Sequence, residues 1–189
     1  WSVANPARAT TAIVGTSGAG KTTLCNVIAR CWDVESGTSV VGGQNVKDDT
    51  LEDLMDQVSI VFQKVDLLSD TVENNIKFGC PNATHEEVVA AAKKACCPDF
   101  ILTLPQGYDT VIGEGGSSLS GGEKQRISIA RAILKDAPIV ILDEATANVD
   151  PENEDRLQKA IEALTRDKTI LMIAHRLKTV RNADQILVL

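Results

Sequence analysis

Apolar residues along this chain occur as short unbroken runs separated by longer, mixed stretches. Runs that are apolar throughout predict strands covered on both faces of a sheet, because a half-exposed strand would alternate apolar and polar residues. A further strand-like segment precedes the turn formed by Gly42 and Gly43. The predicted strands are Thr10 to Val14 (TTAIV), Thr38 to Val41, Val58 to Phe62 (VSIVF), Ile139 to Leu142, Thr169 to Ala174 (TILMIA) and Gln185 to Leu189.

Helical features fill much of the sequence between these runs. Thr84 and Glu87 have the spacing of a capping box, and Asp150-Pro151 combines a capping acid with proline at the first helical position. Leu104 to Gly116 contains a proline and four glycines, which predicts a loop. Strands that alternate with helices predict an α/β fold with a mostly parallel sheet flanked by helices. The predicted helices are Lys21 to about Cys31, the segment after Thr84, Ser120 to about Lys135, and Asp150 to Leu164.

Composition restricts the class of protein. The 189 residues suffice for one domain, and no apolar run reaches the length of a membrane span. The net charge of −7 gives no basic surface for nucleic acid, so a nucleic-acid partner is not expected. The five cysteines are odd in number and form no CxxC pair, which predicts free thiols in a reducing compartment.

Gly15 to Thr22 reads GTSGAGKT, which is the pattern G-x-x-x-x-G-K-[ST] between a predicted strand and a predicted helix. Glycines let several main-chain N–H groups face a phosphate, and the helix adds the positive end of its dipole. Lys21 supplies a cation for the outer phosphates, and the hydroxyl of Thr22 suits Mg²⁺. The alternative is a glycine-rich turn with an exposed lysine, which the strand–loop–helix context disfavours. The predicted phosphate-binding residues are Gly15, Thr16, Ser17, Gly18, Ala19, Gly20, Lys21, Thr22 and Thr23.

Two acids follow the aliphatic run in IVILDE, at the carboxyl end of a predicted strand, where ligands bind in open α/β sheets. Asp143 is predicted to hold Mg²⁺, and Glu144 to orient or deprotonate an attacking water. Alone, this pair could equally be two solvated acids in a turn. The phosphate loop upstream favours the catalytic interpretation.

A second glycine-rich helix start occurs in LSGGE. Ser120 and Glu123 have capping-box spacing, so one interpretation is that the segment only begins a helix, although two glycines there weaken it. Together with the helix dipole, Ser120, Gly121, Gly122 and Glu123 form a second candidate anion site. Two phosphate sites with one set of magnesium ligands indicate that the second site serves a nucleotide held by another subunit.

Two further polar residues follow predicted strands. Gln63 ends VSIVF, where it could reach Mg²⁺ or water, and His175 follows TILMIA, where it could contact a γ-phosphate. A lone histidine is more often structural. Without the other motifs, neither residue would indicate a nucleotide-binding site.

Taken in order, these motifs resemble those of the ABC ATPases, and the resemblance covers the chain from about Thr10 onward. It implies a P-loop NTPase fold of ABC type as a single domain, with a RecA-like core at 1–64 and 136–189. Residues of about 65–135 would hold the Q-loop, a helical subdomain and the signature helix. The implied roles are Q-loop glutamine for Gln63, catalytic base for Glu144, D-loop aspartate for Asp150 and switch histidine for His175. Thr22, Gln63 and Asp143 would be the magnesium ligands.

The segments LLSDTVENNIKFG (67–79) and LPQGYDTVIGEGG (104–116) are similar to those of exporter nucleotide-binding domains. The resemblance implies Mg²⁺-dependent ATP hydrolysis at the cytoplasmic face of a cell membrane, coupled to export by companion transmembrane domains. It also implies a head-to-tail dimer with a second ABC ATPase domain, identical or paralogous. A soluble ABC ATPase that acts on nucleic acid or ribosomes is the alternative, and a nucleotide-binding module without turnover is a third hypothesis.

The sequence departs from the family pattern at its ends and in the signature. Only 14 residues precede Gly15, without the tyrosine that would stack on adenine, and Trp1 is too close to serve. We therefore expect a domain trimmed at both ends with weakened adenine binding. Glu123 stands where glutamine is commonest, and Val111 stands where many exporters carry an acid.

Overall fold

The chain forms seven strands and seven helices in the residues that its computed structural model describes, which are 3–113, 116, 118–145, 151–174 and 180–189. A short 3₁₀ turn spans Gly107–Asp109. In chain order the elements are β1 (Thr10–Val14), α1 (Lys21–Ile28), β2 (Val40–Val41), β3 (Gln44–Asn45), α2 (Leu51–Gln57), β4 (Val58–Val61), α3 (Val72–Lys77), α4 (His85–Lys94), α5 (Pro98–Ile101), α6 (Gly121–Lys135), β5 (Ile139–Asp143), α7 (Pro151–Thr165), β6 (Thr169–Ile173) and β7 (Gln185–Val188).

Five of the strands form one sheet, in the order β4-β5-β6-β1-β7. The pairs β1–β6, β1–β7 and β5–β6 are parallel, with Thr10 opposite Ile170 and Ile139 opposite Thr169. β2 and β3 form a separate antiparallel pair around the predicted turn. The predicted α/β fold, with a mostly parallel sheet and flanking helices, is confirmed.

The chain divides into two compact units. The first comprises Trp1–Ile60, Ala137–Glu144 and Asp167–Leu189, and the second comprises Val61–Asp136 and Ala145–Arg166. This division groups α7 with the helices of the second unit. The predicted boundaries of a RecA-like core and a helical subdomain remain a prediction.

The core of the first unit lies on the sheet. Ile13, Leu54 and Ile141 are fully buried and pack with Leu171 and Ile173 in one cluster. β1 and β5 are therefore apolar because they are covered, as predicted. β7 differs, because it is an edge strand on which Ile186 and Val188 are exposed.

The second unit is helical. Many of its buried side chains belong to α3, α4, α6 and α7. Burial of an apolar face supplies most of the stability of such helices. The fully buried apolar residues of these helices include Val72, Ile76, Val88, Ile127, Ile129 and Leu157. Among the described residues, no helix is both long and apolar enough to cross a bilayer.

Three helices were not predicted, namely α2, α3 and α5. α2 and α3 each begin after a threonine whose hydroxyl accepts a main-chain hydrogen bond, Thr50 from Asp53 and Thr71 from Asn74. The predicted first helix ends earlier than expected, at Ile28, because Arg30 adopts a left-handed conformation with φ of 53°. Ser120 caps α6 as predicted, and Thr84 caps α4 in a complete capping box.

Candidate functional site

The loop Gly15–Gly20 connects β1 to α1 in the first unit. Gly18 and Gly20 have φ of 81° and 92°, a left-handed conformation that glycine adopts without strain. Gly20 is the N-cap residue of α1 and makes no side-chain capping bond. The first N–H groups of a helix have no partner within the helix, so this end suits an anionic ligand.

Lys21 lies at the first position of α1 and is only 6% exposed. Its ammonium group donates hydrogen bonds to the carbonyl oxygens of Gly15 at 3.1 Å and of Thr16 at 2.8 Å. The two bonds hold the positive charge against the start of the loop. The ammonium group of Lys21 therefore lies at the glycine-rich loop, and its binding of phosphate stays a prediction.

A polar cavity of about 250 Å³ opens at this loop. Residues of the loop and of the first turn of α1 line it, and Glu144, which follows β5, lines the same cavity. The sequence predicted these two motifs separately, and the structure brings them together. The lining residues are Ser17, Gly18, Gly20, Lys21, Thr22, Thr23 and Glu144.

Thr22 and Asp143 form the oxygen pair predicted to bind magnesium. The hydroxyl of Thr22 donates to Oδ1 of Asp143 at 3.4 Å, and Asp143 is 7% exposed at the end of β5. A hydroxyl and a carboxylate are the hard oxygen donors that Mg²⁺ prefers, so these residues fit the ion.

The thiol of Cys25, on α1, lies close enough to Asp143 to be affected by its charge. Burial, and secondarily the charge of Asp143, raises the pKa of this thiol to about 12.

Glu144 has φ of 48°, in the left-handed region that glutamate rarely adopts. Non-glycine residues held in this conformation cost free energy and are concentrated at functional sites. The unusual backbone turns the chain directly after β5. As a result, Glu144 lines the cavity while the preceding Asp143 bonds to α1.

Gln63 is exposed and follows β4, the strand next to β5 in the sheet. It belongs to the second unit, so its approach to magnesium stays a prediction. Asp150 and His175 lie outside the described residues, as does Trp1. The roles predicted for Asp150 and His175 stay predictions.

LSGGE forms the start of α6 as a complete capping box. The main-chain N–H of Ser120 donates to Oε2 of Glu123 at 2.7 Å, and the N–H of Glu123 donates to the Ser120 hydroxyl at 3.3 Å. Gly121 is exposed, and a Cβ there would meet nothing within 4 Å. Packing within the chain therefore does not require glycine at this position, which leaves room for a group from outside.

One contact near Gln63 was missed by sequence reasoning. Nε2 of Gln125, a buried residue of α6, donates to the carbonyl oxygen of Phe62 at 3.1 Å. The only available signal was a glutamine among the buried positions of an amphipathic helix.

The chain's free thiols are as predicted, with Cys25 and Cys97 buried and Cys31 exposed.

A family model described as ABC transporter matches residues 2–147. This chain belongs to the ABC transporter family. The match includes the phosphate loop, the signature and the carboxylate pair, and the fold is that of an ABC ATPase domain, a P-loop NTPase.

Relatives of this ABC domain are exporters and flippases. It is 54% identical over 178 residues to an ATP-dependent lipid A-core flippase of Syntrophus aciditrophicus (strain SB), covering 94% of this chain and 30% of the relative. It is 48% identical over 185 residues to the flippase of the same name from Haemophilus influenzae (strain 86-028NP), covering 97% of this chain and 32% of the relative. A solved bacterial Atm1-family ABC exporter with ATP bound superposes with a TM-score of 0.91 at 44% identity, covering 98% of this chain and 32% of that one.

These relatives confirm the prediction of an ABC nucleotide-binding domain of the exporter type. Nothing in them supports the alternative of a soluble ABC ATPase that acts on nucleic acid or ribosomes. The ABC domain described here spans about a third of the length of these relatives.

Proposed function

We propose that this ABC domain binds Mg·ATP at the loop Gly15–Thr23 and hydrolyses it, and that hydrolysis drives export by companion transmembrane domains. The observation that carries the proposal is the polar cavity in which the phosphate loop meets Glu144. The Thr22–Asp143 oxygen pair next to it supports the magnesium part of the proposal.

The phosphate loop binds and orients the substrate. Main-chain N–H groups at the start of α1 and the ammonium group of Lys21 face the anionic phosphates, whose charge they offset. Thr22, Asp143 and Gln63 would hold Mg²⁺, which supplies positive charge that stabilises the phosphate oxygens during transfer.

Glu144 is the proposed general base. Glu144 lines the cavity. Its carboxylate would accept a proton from the water that attacks the γ-phosphate in line with the bond that breaks. His175 is proposed to contact the γ-phosphate, and Asp150 to act from the D-loop. Both assignments rest on the family resemblance.

The second anion site at the start of α6 is proposed to act on a nucleotide bound by another ABC domain, in a head-to-tail dimer. Support comes from Gly121, which is exposed and which no internal contact requires to be glycine. The partner domain can be an identical chain or a paralogue. The solved exporter that this chain resembles was obtained with ATP bound.

The site of action is proposed to be the cytoplasmic face of a cell membrane, where ATP is available. Two relatives are named lipid A-core flippases and a third is an Atm1-family exporter. These names differ, yet this domain is 44–54% identical to all three. The shared sequence features therefore reflect ATP binding and hydrolysis and do not indicate which substrate is transported. No transported substrate is assigned.

Replacing the proposed base tests both catalysis and pairing. In Glu144→Gln, we expect phosphate release to fall about 100-fold or more, because a positioned general base contributes a factor of that order. Mg·ATP binding should persist, and light scattering should show an ATP-dependent dimer. Glu52→Gln is the matched control, since Glu52 is exposed on α2, away from the cavity residues.

An unchanged rate of phosphate release in Glu144→Gln would contradict the assignment of the base. A variant that binds Mg·ATP but stays monomeric would contradict pairing of identical chains. In that case the natural partner is a paralogous domain.

A further inference from the structure

The 3₁₀ turn Gly107–Asp109 precedes the signature motif in the chain, and main-chain bonds fix the residues that follow it. The N–H of Val72 donates to the carbonyl oxygen of Thr110 at 3.0 Å, and the N–H of Ile112 donates to that of Asp70 at 2.8 Å. Both bonds lie within the second unit. Main-chain amides do not ionise near neutral pH, so this first attachment of the turn is independent of pH.

A second attachment of the turn is made by a side chain. The half-buried ring of Tyr108 packs against the imidazole ring of His85, with the ring centroids 5.7 Å apart and the ring planes at 81° to each other. Perpendicular ring pairs of this kind attract each other beyond the effect of buried area. Burial raises the pKa of the Tyr108 phenol, so this ring stays neutral near neutral pH. Because His85 is the first residue of α4, the contact attaches the turn to that helix.

The imidazole of His85 is bonded to a carboxylate of α3. Nδ1 of His85 lies 2.6 Å from Oε2 of Glu73, and Nζ of Lys77 lies 2.8 Å from Oε1 of the same residue. The bonds from Lys77 and, to a smaller extent, from His85 lower the pKa of Glu73 against the opposing effect of burial. A positive charge at the first position of a helix is disfavoured by the helix dipole, so the charged form of His85 depends on Glu73 as its partner.

The charged and titratable groups that interact with His85 in the described residues come from three elements. Glu73 and Lys77 belong to α3, Glu86 follows His85 on α4, and Tyr108 belongs to the turn. Histidine is the only residue type among them whose charge ordinarily changes between about pH 5 and 8. A change of pH in this range therefore acts on the cluster through His85.

We propose that His85 makes the attachment of the turn Gly107–Asp109 to α3 and α4 dependent on pH. At acidic pH the imidazolium ion forms a charge-assisted bond to Glu73, which fixes the ring against which Tyr108 packs. As the pH rises and the ring loses its charge, the bond becomes a weaker neutral one and the turn opens more often. The main-chain bond of Ile112 is unaffected, so the change is confined to the turn. The inference goes beyond the proposed function and requires no nucleotide.

Amide hydrogen exchange measured by NMR tests this dependence in the 189-residue chain. The N–H groups of Gly107, Asp109 and Thr110 each donate to the carbonyl oxygen of the residue three positions earlier, so they report on opening of the turn. Protection factors are compared at about pH 5.5 and about pH 8, on either side of the usual titration range of histidine. In the unsubstituted chain, we expect these three protection factors to be several-fold higher at the lower pH. Ile112 should have the same protection factor at both pH values.

Two substitutions remove one partner of the bond each. His85→Gln removes the titrating ring, and Glu73→Gln keeps a hydrogen-bonding side chain without the charge. In both variants, the protection factors of the turn should be equal at the two pH values and close to the alkaline value of the unsubstituted chain.

Glu86→Gln is the matched control, because Glu86 is exposed next to His85 on the same helix while the carboxylate bonded to the ring is that of Glu73. The only other histidine of the chain is His175, so His175→Gln is the second control. Both control variants should keep the pH dependence of the unsubstituted chain. Its loss in Glu86→Gln would contradict the role of Glu73, and its loss in His175→Gln would assign the effect to the other histidine.

Tyr108→Leu provides a further test if His85→Gln or Glu73→Gln fails to fold, as judged by circular dichroism. It removes the ring contact and leaves the bond between His85 and Glu73, so the protection factors of the turn should again be equal at the two pH values. Equal protection factors in the unsubstituted chain would overturn the proposal. So would a pH dependence that persists in a folded His85→Gln or Tyr108→Leu variant. Neither result bears on nucleotide binding, so the proposed function is tested separately.

Discussion

The hydroxyl of Thr22 reaches Oδ1 of Asp143 across 3.4 Å, so two oxygens from different elements of the chain face each other at the candidate magnesium site. An O–H···O bond is commonly about 2.7–2.8 Å long, which means that this contact holds the pair only weakly. A hydroxyl and a carboxylate are both hard oxygen donors of the kind that Mg²⁺ prefers. Thr22 of the phosphate loop and Asp143 of the carboxylate pair are 121 residues apart in the sequence, and the fold brings them into contact here.

Removal of the Asp143 charge should abolish the magnesium dependence of nucleotide binding. In Asp143→Asn, we expect the affinity for Mg·ATP to fall about tenfold or more, because a carboxylate ligand of Mg²⁺ is lost. Binding of ATP in the presence of EDTA should change little. Isothermal titration with and without Mg²⁺ measures both quantities. Asp109→Asn, at an exposed position in the 3₁₀ turn, is the control. A variant that keeps its response to Mg²⁺ would show that Asp143 is not a ligand.

Cys25 should make the free energy of unfolding fall at alkaline pH. The pKa of this thiol is raised from 9.0 to about 12 by burial and by Asp143, so the folded state keeps the proton that the unfolded state releases. The contribution of Cys25 is complete below pH 9 and is lost as the pH rises towards 12. Between pH 9 and 10.5 the loss should be about 2 kcal/mol, by linkage.

Urea unfolding at several pH values measures this dependence. Burial also raises the pKa of Cys97, so the unsubstituted chain should lose stability through both thiols. Cys25→Ala should be less stable at pH 8 but should lose less stability between pH 9 and 10.5. Parallel curves for the two proteins would argue against a titrating Cys25.

Replacing Glu123 should strengthen the proposed dimer. Its carboxylate accepts a bond from the main-chain N–H of Ser120 at the N-terminus of α6. It therefore places a negative charge near the site proposed for a partner's phosphate. Glutamine can accept the same bond without the charge. In the Glu144→Gln background, Glu123→Gln should lower the Mg·ATP concentration for half-maximal dimerisation several-fold, and most strongly at low salt.

The helix α4 offers a matched control for this substitution. Glu87 accepts a bond of the same length, 2.7 Å, from the N–H of Thr84 in a second capping box. Both substitutions should lower the free energy of unfolding by a few tenths of a kcal/mol, through the helix dipole. Only Glu123→Gln should change dimerisation, and an equal effect of Glu87→Gln would assign the change to helix stability.

Arg126 should be a major determinant of the stability of the second unit. Its guanidinium group is buried, bonds to Asp99, Asn153 and the carbonyl oxygen of Cys96, and lies over the ring of Phe100. Arg126→Met should lower the free energy of unfolding by about 2–3 kcal/mol, since the charge-assisted hydrogen bonds of a buried guanidinium group and its contact with the Phe100 ring are lost. Urea unfolding is the measurement.

Arg156 is the control for Arg126, because it pairs with the same carboxylate at 2.6 Å from a half-exposed position. Exposed pairs contribute little, so Arg156→Met should cost about 1 kcal/mol or less. If both substitutions cost the same, the difference in burial would not govern the energetics of this cluster.

Much of this arrangement could be predicted from the sequence where the local pattern is strong. TTAIV and IVILD are strands because each is an apolar run ended by a glycine or an acid, and Ser120 with Glu123 forms the capping box that its spacing indicated. α3 and α5 were missed since six and four residues are too few to show a helical period.

Other features have no signal in the sequence. The left-handed φ of Glu144 is a property of the strand end, and it cannot be predicted from the residue type because glutamate rarely adopts this conformation. Gln125 and Arg131 bind main-chain carbonyl oxygens, which every residue carries, so their partners cannot be read from residue types. The family resemblance supplied roles for Asp150 and His175 that remain predictions.

The place of β1 in the sheet determines when the phosphate loop can form. β1 pairs with β6 on one side and β7 on the other, so both of its neighbours are synthesised after residues 61–136 of the second unit. Pairing across such distances along the sequence is slow, whereas most of the second unit is contiguous at residues 61–136. Proteolysis of ribosome-stalled chains should therefore find protected helices before a protected β1. The loop proposed to bind phosphate is therefore made before the strands that flank β1, and it is among the last parts of this domain to reach its working shape.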